Sequence, residues 1–199
     1  MDSMRDFANA SDDDLLHLMM GGRMMGGRMK AGDEDAFTEL YRRHQGRVYR
    51  FALHMSGKAD VAEEVTQEVF IFLMRGARQY QPSRGTIAAF LIGVARKHVL
   101  RRLECDRVYD GGPLDEERGV DHDLLGSIAR SRQIECIRKA LVALPQHYRE
   151  VLVLCDLEEL DYAQTAQALG CPVGTVRSRL NRARAMLAIR LRSIERCPA

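Results

Sequence analysis

A chain of 199 residues with 46% hydrophobic content and a formal net charge of +2 carries enough apolar side chain for two helical cores of roughly 70 residues each. No long apolar run and no secretory leader core occurs, which excludes a membrane-inserted protein and leads to the expectation of a soluble, cytoplasmic one. Five cysteines and six histidines are scattered without Cys-x-x-Cys, His-Glu-x-x-His or Ser-His-Asp spacing, so we expect no metal, no cofactor and no enzyme, and read the cysteines as reduced thiols.

Residues 1–30 come first. Asp12, Asp13 and Asp14 followed by Leu15, Leu16 and Leu18 have the pattern of a helix start, but MGGRM at 20–24 is repeated at once at 25–29. Glycine at that density weakens a helix by roughly 1 kcal/mol per residue relative to alanine. The span therefore reads as a flexible polar arm. Gly22 and Gly27 form no phosphate loop, because no Gly-Lys-Ser/Thr ends the segment and no strand precedes it.

After the acidic start Asp33, Glu34 and Asp35, helical spacing of Tyr41, Val48, Phe51, Ala52 and Met55 predicts a core helix. In the next helix Val65, Val69, Phe72 and Leu73 make the apolar stripe, while Asp60, Glu63, Glu64 and Gln67 gather on the opposite side, with Glu68 at the strip's edge. A loop at 79–87, QYQPSRGTI, leads into a third helix predicted over 86–105. Beyond Phe90, Leu91 and Val94 this helix carries Arg96, Lys97, His98, Arg101 and Arg102, with Arg107 past its predicted end, a density of cations suited to phosphates.

Residues 106–130 hold Gly111, Gly112 and Pro113, then five acidic residues, with little apolar periodicity; they read as an acidic, flexible linker. Helical character resumes at 131–144. The stretch 161–184, DYAQTAQALGCPVGTVRSRLNRAR, then reads as helix, tight turn, helix. Asp161 and Gln164 have capping-box spacing, and Ala163, Ala166 and Leu169 share a face. Gly170 suits a left-handed helix end, and Pro172 suits the first turn of the next helix. Val173, Val176, Leu180, Ala183 and Leu187 form its buried stripe. Arg177, Ser178, Asn181 and Arg182 are left facing outward. Arg can grip guanine O6 and N7, and Asn can pair with adenine, so the unit has the chemistry of a major-groove reader.

These segments resemble a known family. LPQHYREVLVL from residue 144 and GCPVGTVRSRLNRAR from residue 170 are similar to region 4 of bacterial sigma factors of the extracytoplasmic-function (ECF) group. GDEDAFTELYRRHQGRVYRFA, ADVAEEVTQEVFIFLMRGARQY and RGTIAAFLIGVARKHVLRRL, within 32–103, resemble its region 2. The resemblance implies an all-α fold of two small helical domains joined by a flexible acidic linker. Its parts would be an N-terminal extension over 1–30, region 2 over 31–105, the linker over 106–130 and region 4 over 131–196.

It further implies an alternative sigma factor that binds core RNA polymerase, directs it to promoters and promotes melting of the −10 element. Arg177, Ser178, Asn181 and Arg182 would contact the −35 element. Tyr80, Arg84, Phe90, Arg96, Lys97 and Arg101 would serve the −10 region, Tyr80 by stacking on a base and Arg84 by holding a phosphate. Asp60, Glu63, Glu64, Gln67 and Glu68 would dock on the β′ clamp helices, with the β flap and an anti-sigma factor as further partners. Without the acidic strip and the basic third helix, the same helix-turn-helix would serve a regulator that binds DNA without joining polymerase. The chain departs from the family where Thr165 replaces a buried branched apolar residue, which predicts slightly weaker packing, and where Phe90, Lys97 and Arg101 replace the usual Trp, Asn and Asp.

Overall fold

The computed structural model describes residues 7, 9–21, 31–76, 79–109 and 126–195, and over these it is built of α-helices with no strand. Most of the repeat at 20–29 and the central part of the linker lie outside the described residues. Four helices form the first half: α1 (Asp12–Gly21), α2 (Ala31–Ser56), α3 (Ala59–Gly76) and α4 (Ile87–Tyr109), with a 3₁₀ turn at Pro82–Arg84. The second half holds α5 (Gly126–Val142), α6 (Gln146–Leu152), a single wide π turn at Val153–Leu157, α7 (Tyr162–Leu169) and α8 (Val173–Glu195). Helix α4 runs past the predicted end of region 2 and α5 begins before 131, so both ends of the predicted linker are helical.

Residues 1–30 are not a flexible arm throughout. Ser11 accepts a hydrogen bond from the Asp14 N–H and Asp14 accepts one in return from the Ser11 hydroxyl at 2.7 Å, closing the first turn of α1. The Ser11 hydroxyl foremost, and then the Ser11 N–H, which also donates to this carboxylate, hold the Asp14 carboxyl below its ordinary range. Leu15, Leu16 and Met19 are buried, and Arg43 of α2 reaches across to the Ala10 carbonyl and to Asp12, both within 2.9 Å. The glycines of this span begin only at residue 21, so the apolar run ahead of them is free to form a helix.

Helix α2 is the common packing partner, touching α1, α3, α4, α5 and α6. Val48, Phe51, Ala52 and Met55 lie in the core as their spacing predicts, and Tyr41 packs edge-on against Phe70 at 4.7 Å between centroids. On α3 the inward stripe is Ala62, Val65, Val69, Phe70 and Leu73; Phe72 is only half-buried, against Phe90.

The two halves share one continuous core. Helix α7 lies against α4, and α5 and α6 lie against the second half of α2. Arg149 of α6, itself buried, donates to the Met55 carbonyl at the end of α2 and to the carbonyls of Val142 and Leu144. One guanidinium thus satisfies backbone acceptors of a helix end and of the turn packed beside it, groups that would be costly to bury unpaired. His54, near the end of α2, is largely buried beside Arg138 of α5 and Arg50, and its Nδ1 has no hydrogen-bond partner among the described residues.

Two outcomes test this packing. Leu15→Ala removes a fully buried side chain and should cost about 2–5 kcal/mol in chemical denaturation; an arm outside the core would lose nothing. Burial, with Arg138 and Arg50 as cationic neighbours, holds the His54 pKa below its ordinary value, so the ring is neutral at pH 7. As pH falls below the ordinary histidine value the unfolded chain takes up a proton that the folded chain refuses, and stability should drop there. Denaturation midpoints at pH 7.5 and 5.5 should therefore lie closer together in His54→Leu than in the parent.

Candidate nucleic-acid interface

The helix-turn-helix is set by local chemistry. Asp161 accepts from the Gln164 N–H at 2.8 Å while the Gln164 side chain accepts from the Asp161 N–H at 3.1 Å, the reciprocal box the spacing predicts. Gly170 ends α7 at φ 64, ψ 38, and a Cβ there would meet nothing within 4 Å, so its requirement for glycine comes from the backbone alone. The inward face of α7 is rotated from the predicted one: Ala163 is exposed, whereas Thr165, Ala166, Ala168 and Leu169 are buried, because α4 covers α7 on one side and α8 on another. The Thr165 hydroxyl is fully enclosed and lies 3.4 Å from the Cys155 sulfur in the π turn, so the polar atom that suggested weaker packing has a partner. Burial pushes the Cys155 thiol above its ordinary pKa, which keeps its proton in place.

In α8, Val176, Leu180 and Ala183 are buried and Leu187 is partly so, but Val173 is exposed at the helix start. Arg177, Ser178, Asn181 and Arg182 are all exposed, as expected of a reading face. The Arg177 guanidinium sits 5.7 Å from the centre of the Tyr162 ring, and the Ser178 hydroxyl donates to the Thr175 carbonyl. Arg184 points elsewhere: both its Nε and a terminal nitrogen bond Asp156, at 2.9 and 2.6 Å, which braces α8 against the π turn.

The residues expected at the −10 region divide into two sets. Arg84, on the 3₁₀ turn, and Lys97 and Arg101, on α4, are exposed, and with His98 the latter two line a shallow hollow. Tyr80 is 8% exposed and its hydroxyl bonds both Asp13 of α1 and the Gly85 carbonyl at 2.9 Å. Burial, then the bond to Asp13, pushes its pKa up to about 12. Its ring stands edge-on to Phe90 at 5.5 Å, so in this arrangement Tyr80 supports the loop and offers no face to a base. Phe90 is half-buried between Tyr80 and Phe72. Arg96 is engaged by Glu150 of α6 through two bonds of 2.9 and 3.3 Å.

On α3, Asp60, Glu63, Glu64 and Gln67 are exposed. Glu64 and Glu68 share Arg102 of α4, and Glu68 also lies 2.5 Å from the His98 ring. Burial opposes ionisation of Glu68, yet the bonds from Arg102 and His98 outweigh it and hold its carboxyl below the ordinary range. The acidic strip therefore has an open end, at Asp60, Glu63 and Gln67, and an end tied to the basic helix. Sequence reasoning missed Arg47, Arg50 and Glu158. Glu158, whose side chain is 0% exposed, takes Arg50 at 2.9 and 3.0 Å and Arg47 at 3.7 Å. Partners so far apart in the chain leave no periodic signal.

An all-α chain with a capped helix-turn-helix and a second, basic helical unit is a DNA-binding protein of the transcription class. Residues 40–107 match the family description Sigma-70 region 2, and residues 134–187 match Sigma-70, region 4. The ECF RNA polymerase sigma factor SigE of Mycolicibacterium smegmatis is 37% identical over 168 residues, which cover 78% of this chain and 63% of that one. SigM of Mycobacterium tuberculosis is 31% identical over 161 residues, covering 79% and 78%. Among solved structures, the sigma factor RpoE of Bartonella quintana, in complex with the anti-sigma factor NepR, superposes with a TM-score of 0.67 at 23% identity, over 78% of this chain and 96% of that one. CnrH, in complex with the cytosolic domain of CnrY, gives 0.68 at 21% identity, over 92% and 97%. The chain belongs to the ECF RNA polymerase sigma factors.

Replacing Asp161 with Ala removes the cap of α7, the first helix of the helix-turn-helix. It should lower stability by about 1 kcal/mol and weaken duplex binding, both measurable by thermal melting and fluorescence anisotropy.

Proposed function

We propose that the chain is the promoter-specificity subunit of a bacterial RNA polymerase, catalyses nothing itself, and divides its work between the two regions as follows. Asp60, Glu63, Glu64 and Gln67, with Glu68 at the edge, face the β′ clamp helices of the core enzyme, and region 4 faces the β flap. Arg177, Ser178, Asn181 and Arg182 read the −35 element in the major groove, with Tyr162 beneath Arg177. Arg84, Lys97 and Arg101 hold phosphates of the −10 strand, joined by Arg96 and Phe90 once region 2 is uncovered. The neighbour RpoE is held by an anti-sigma factor, and the same class of partner, closing over the polymerase-facing surfaces, suits this chain. A role inside the cell follows from the polymerase, and no described helix is long and apolar enough to cross a membrane.

The observation that carries this reading is the presence, in one chain, of an exposed acidic face on α3 and an exposed arginine-rich face on α8, the helix that follows the capped α7. A regulator that only bound DNA would need the second and not the first. Run-off transcription with purified core polymerase should depend on the protein, and Glu64→Lys with Gln67→Lys should abolish association with core while the fold persists. Arg182→Ala should cost about 1–3 kcal/mol of duplex binding and relax preference at one base pair. Arg190→Ala should instead weaken all sequences alike and flatten the salt dependence by about one unit of slope. Arg182→Ala with unchanged sequence preference would remove that residue from the reading face.

A further inference from the structure

Three successive carboxylates open α1, and each goes to a different place. Asp12 crosses to α2, where it takes Arg43 at 2.9 Å and the His44 ring at 2.8 Å. Asp14 turns back on Ser11 and closes its own helix. Asp13 reaches the promoter loop at 79–87, where it accepts from the Tyr80 hydroxyl at 2.9 Å. The same hydroxyl stands 2.9 Å from the Gly85 carbonyl. A phenol has one proton, so the two oxygens share it, and the charged one is the stronger acceptor.

Tyr80 and Gly85 flank the segment 81–84, which is exposed throughout. This tip turns on bonds from the Arg84 N–H to the Gln81 carbonyl and from the Gly85 N–H to the Pro82 carbonyl, at 2.9 and 3.1 Å. The Tyr80 hydroxyl therefore closes the neck of the tip, and its own position is fixed from outside by α1. That helix is a firm support, because Leu15, Leu16 and Met19 are buried and Asp12 is tied to α2. On the far side of the neck Gly85 stands at φ 133, where a Cβ would run into the Gln167 side chain of α7. The Tyr80 ring is hidden edge-on to Phe90, so what the loop offers to DNA is its tip, in whatever conformation the neck imposes.

We propose that Asp13 is a positioning residue for the −10 strand: by holding the Tyr80 hydroxyl at the neck of the 81–84 tip, it fixes the tip's conformation and with it the discrimination among −10 bases. This role rests on the assignment of the loop to the −10 strand. It gives α1, which lies ahead of the matched region 2, a part in promoter selection without a contact to DNA. With its pKa pushed up to about 12, by burial first and then by Asp13, the Tyr80 phenol stays a donor in any ordinary buffer.

Asp13→Ala, Asp13→Asn, Tyr80→Phe and the double variant Asp13→Ala with Tyr80→Phe, all in the full chain, test this. In the free protein, amide hydrogen exchange at Arg84 and Gly85 should be about tenfold faster in Asp13→Ala and Tyr80→Phe. It should be no faster in the double variant than in Tyr80→Phe, and parent-like in Asp13→Asn, whose amide oxygen keeps an acceptor in place. With core polymerase, on a promoter that the parent transcribes and with its −10 element randomised, the yield ratio between preferred and disfavoured bases should shrink about fivefold in Asp13→Ala, Tyr80→Phe and the double variant, and be restored in Asp13→Asn.

Loss of a carboxylate favours DNA of every sequence alike, and equally in the Ala and Asn variants, so a preference lost in one and kept in the other marks positioning and not charge. A helix that only stabilised the fold would lower the total yield and leave this ratio alone. Parent-like exchange in Asp13→Ala and Tyr80→Phe, or faster exchange with unaltered base preference, would overturn the proposal. A parent indifferent to the −10 bases would remove the loop's assignment and the proposal with it. Exchange is read without polymerase or promoter, which tells that failure apart from a neck that Asp13 does not hold.

Discussion

A carboxylate leaves water only where something cationic takes the water's place. Glu150 and Glu158 are almost wholly enclosed, and their cations come from the other half of the chain: Arg96 of α4 for the first, Arg47 and Arg50 of α2 for the second. Apolar surfaces alone let two helical units slide over one another. Charge pairs do not, since a displacement of a few ångströms strands a buried carboxylate. These pairs, together with the Arg149 bond to the end of α2, set the register of α7 on α4 and hence what the promoter loop meets.

The chemistry of the acidic strip is bound up with the same α4. Arg102 bridges Glu64 and Glu68, so the helix expected to face polymerase and the helix expected to face DNA are joined by one guanidinium. Its pKa is raised, chiefly by the bond to Glu68. A side chain charged under all ordinary conditions is suited to this place, because a titrating group would loosen the α3–α4 contact as pH changed.

What the sequence disclosed was whatever depends on near neighbours. The capping box at Asp161 and Gln164, the left-handed Gly170 and the i, i+3, i+4 stripes of α2 and α8 are all satisfied within a turn or two, and they stand where the spacing puts them. The exposed set on α8 was legible for the same reason. Features made by a second element were not. Ala163 and Val173 fit an apolar stripe on paper but face solvent, since the faces of α7 and α8 that are covered depend on where α4 lies. Tyr80 has the chemistry of a stacking residue until Asp13, on a helix hidden by its glycine-rich neighbourhood, takes its hydroxyl. Thr165 looked like a packing defect because its partner, Cys155, lies in a π turn that no short-range pattern announces.

Gly85 has a consequence for how this protein can change over generations. Its backbone, at φ 133 and ψ −166, is one that only glycine adopts readily, and the space above it is filled by Gln167. Two independent barriers guard the same site, and a mutation that relieves one leaves the other. Shortening Gln167 would empty the space but not reshape the backbone, so position 85 stays closed to drift.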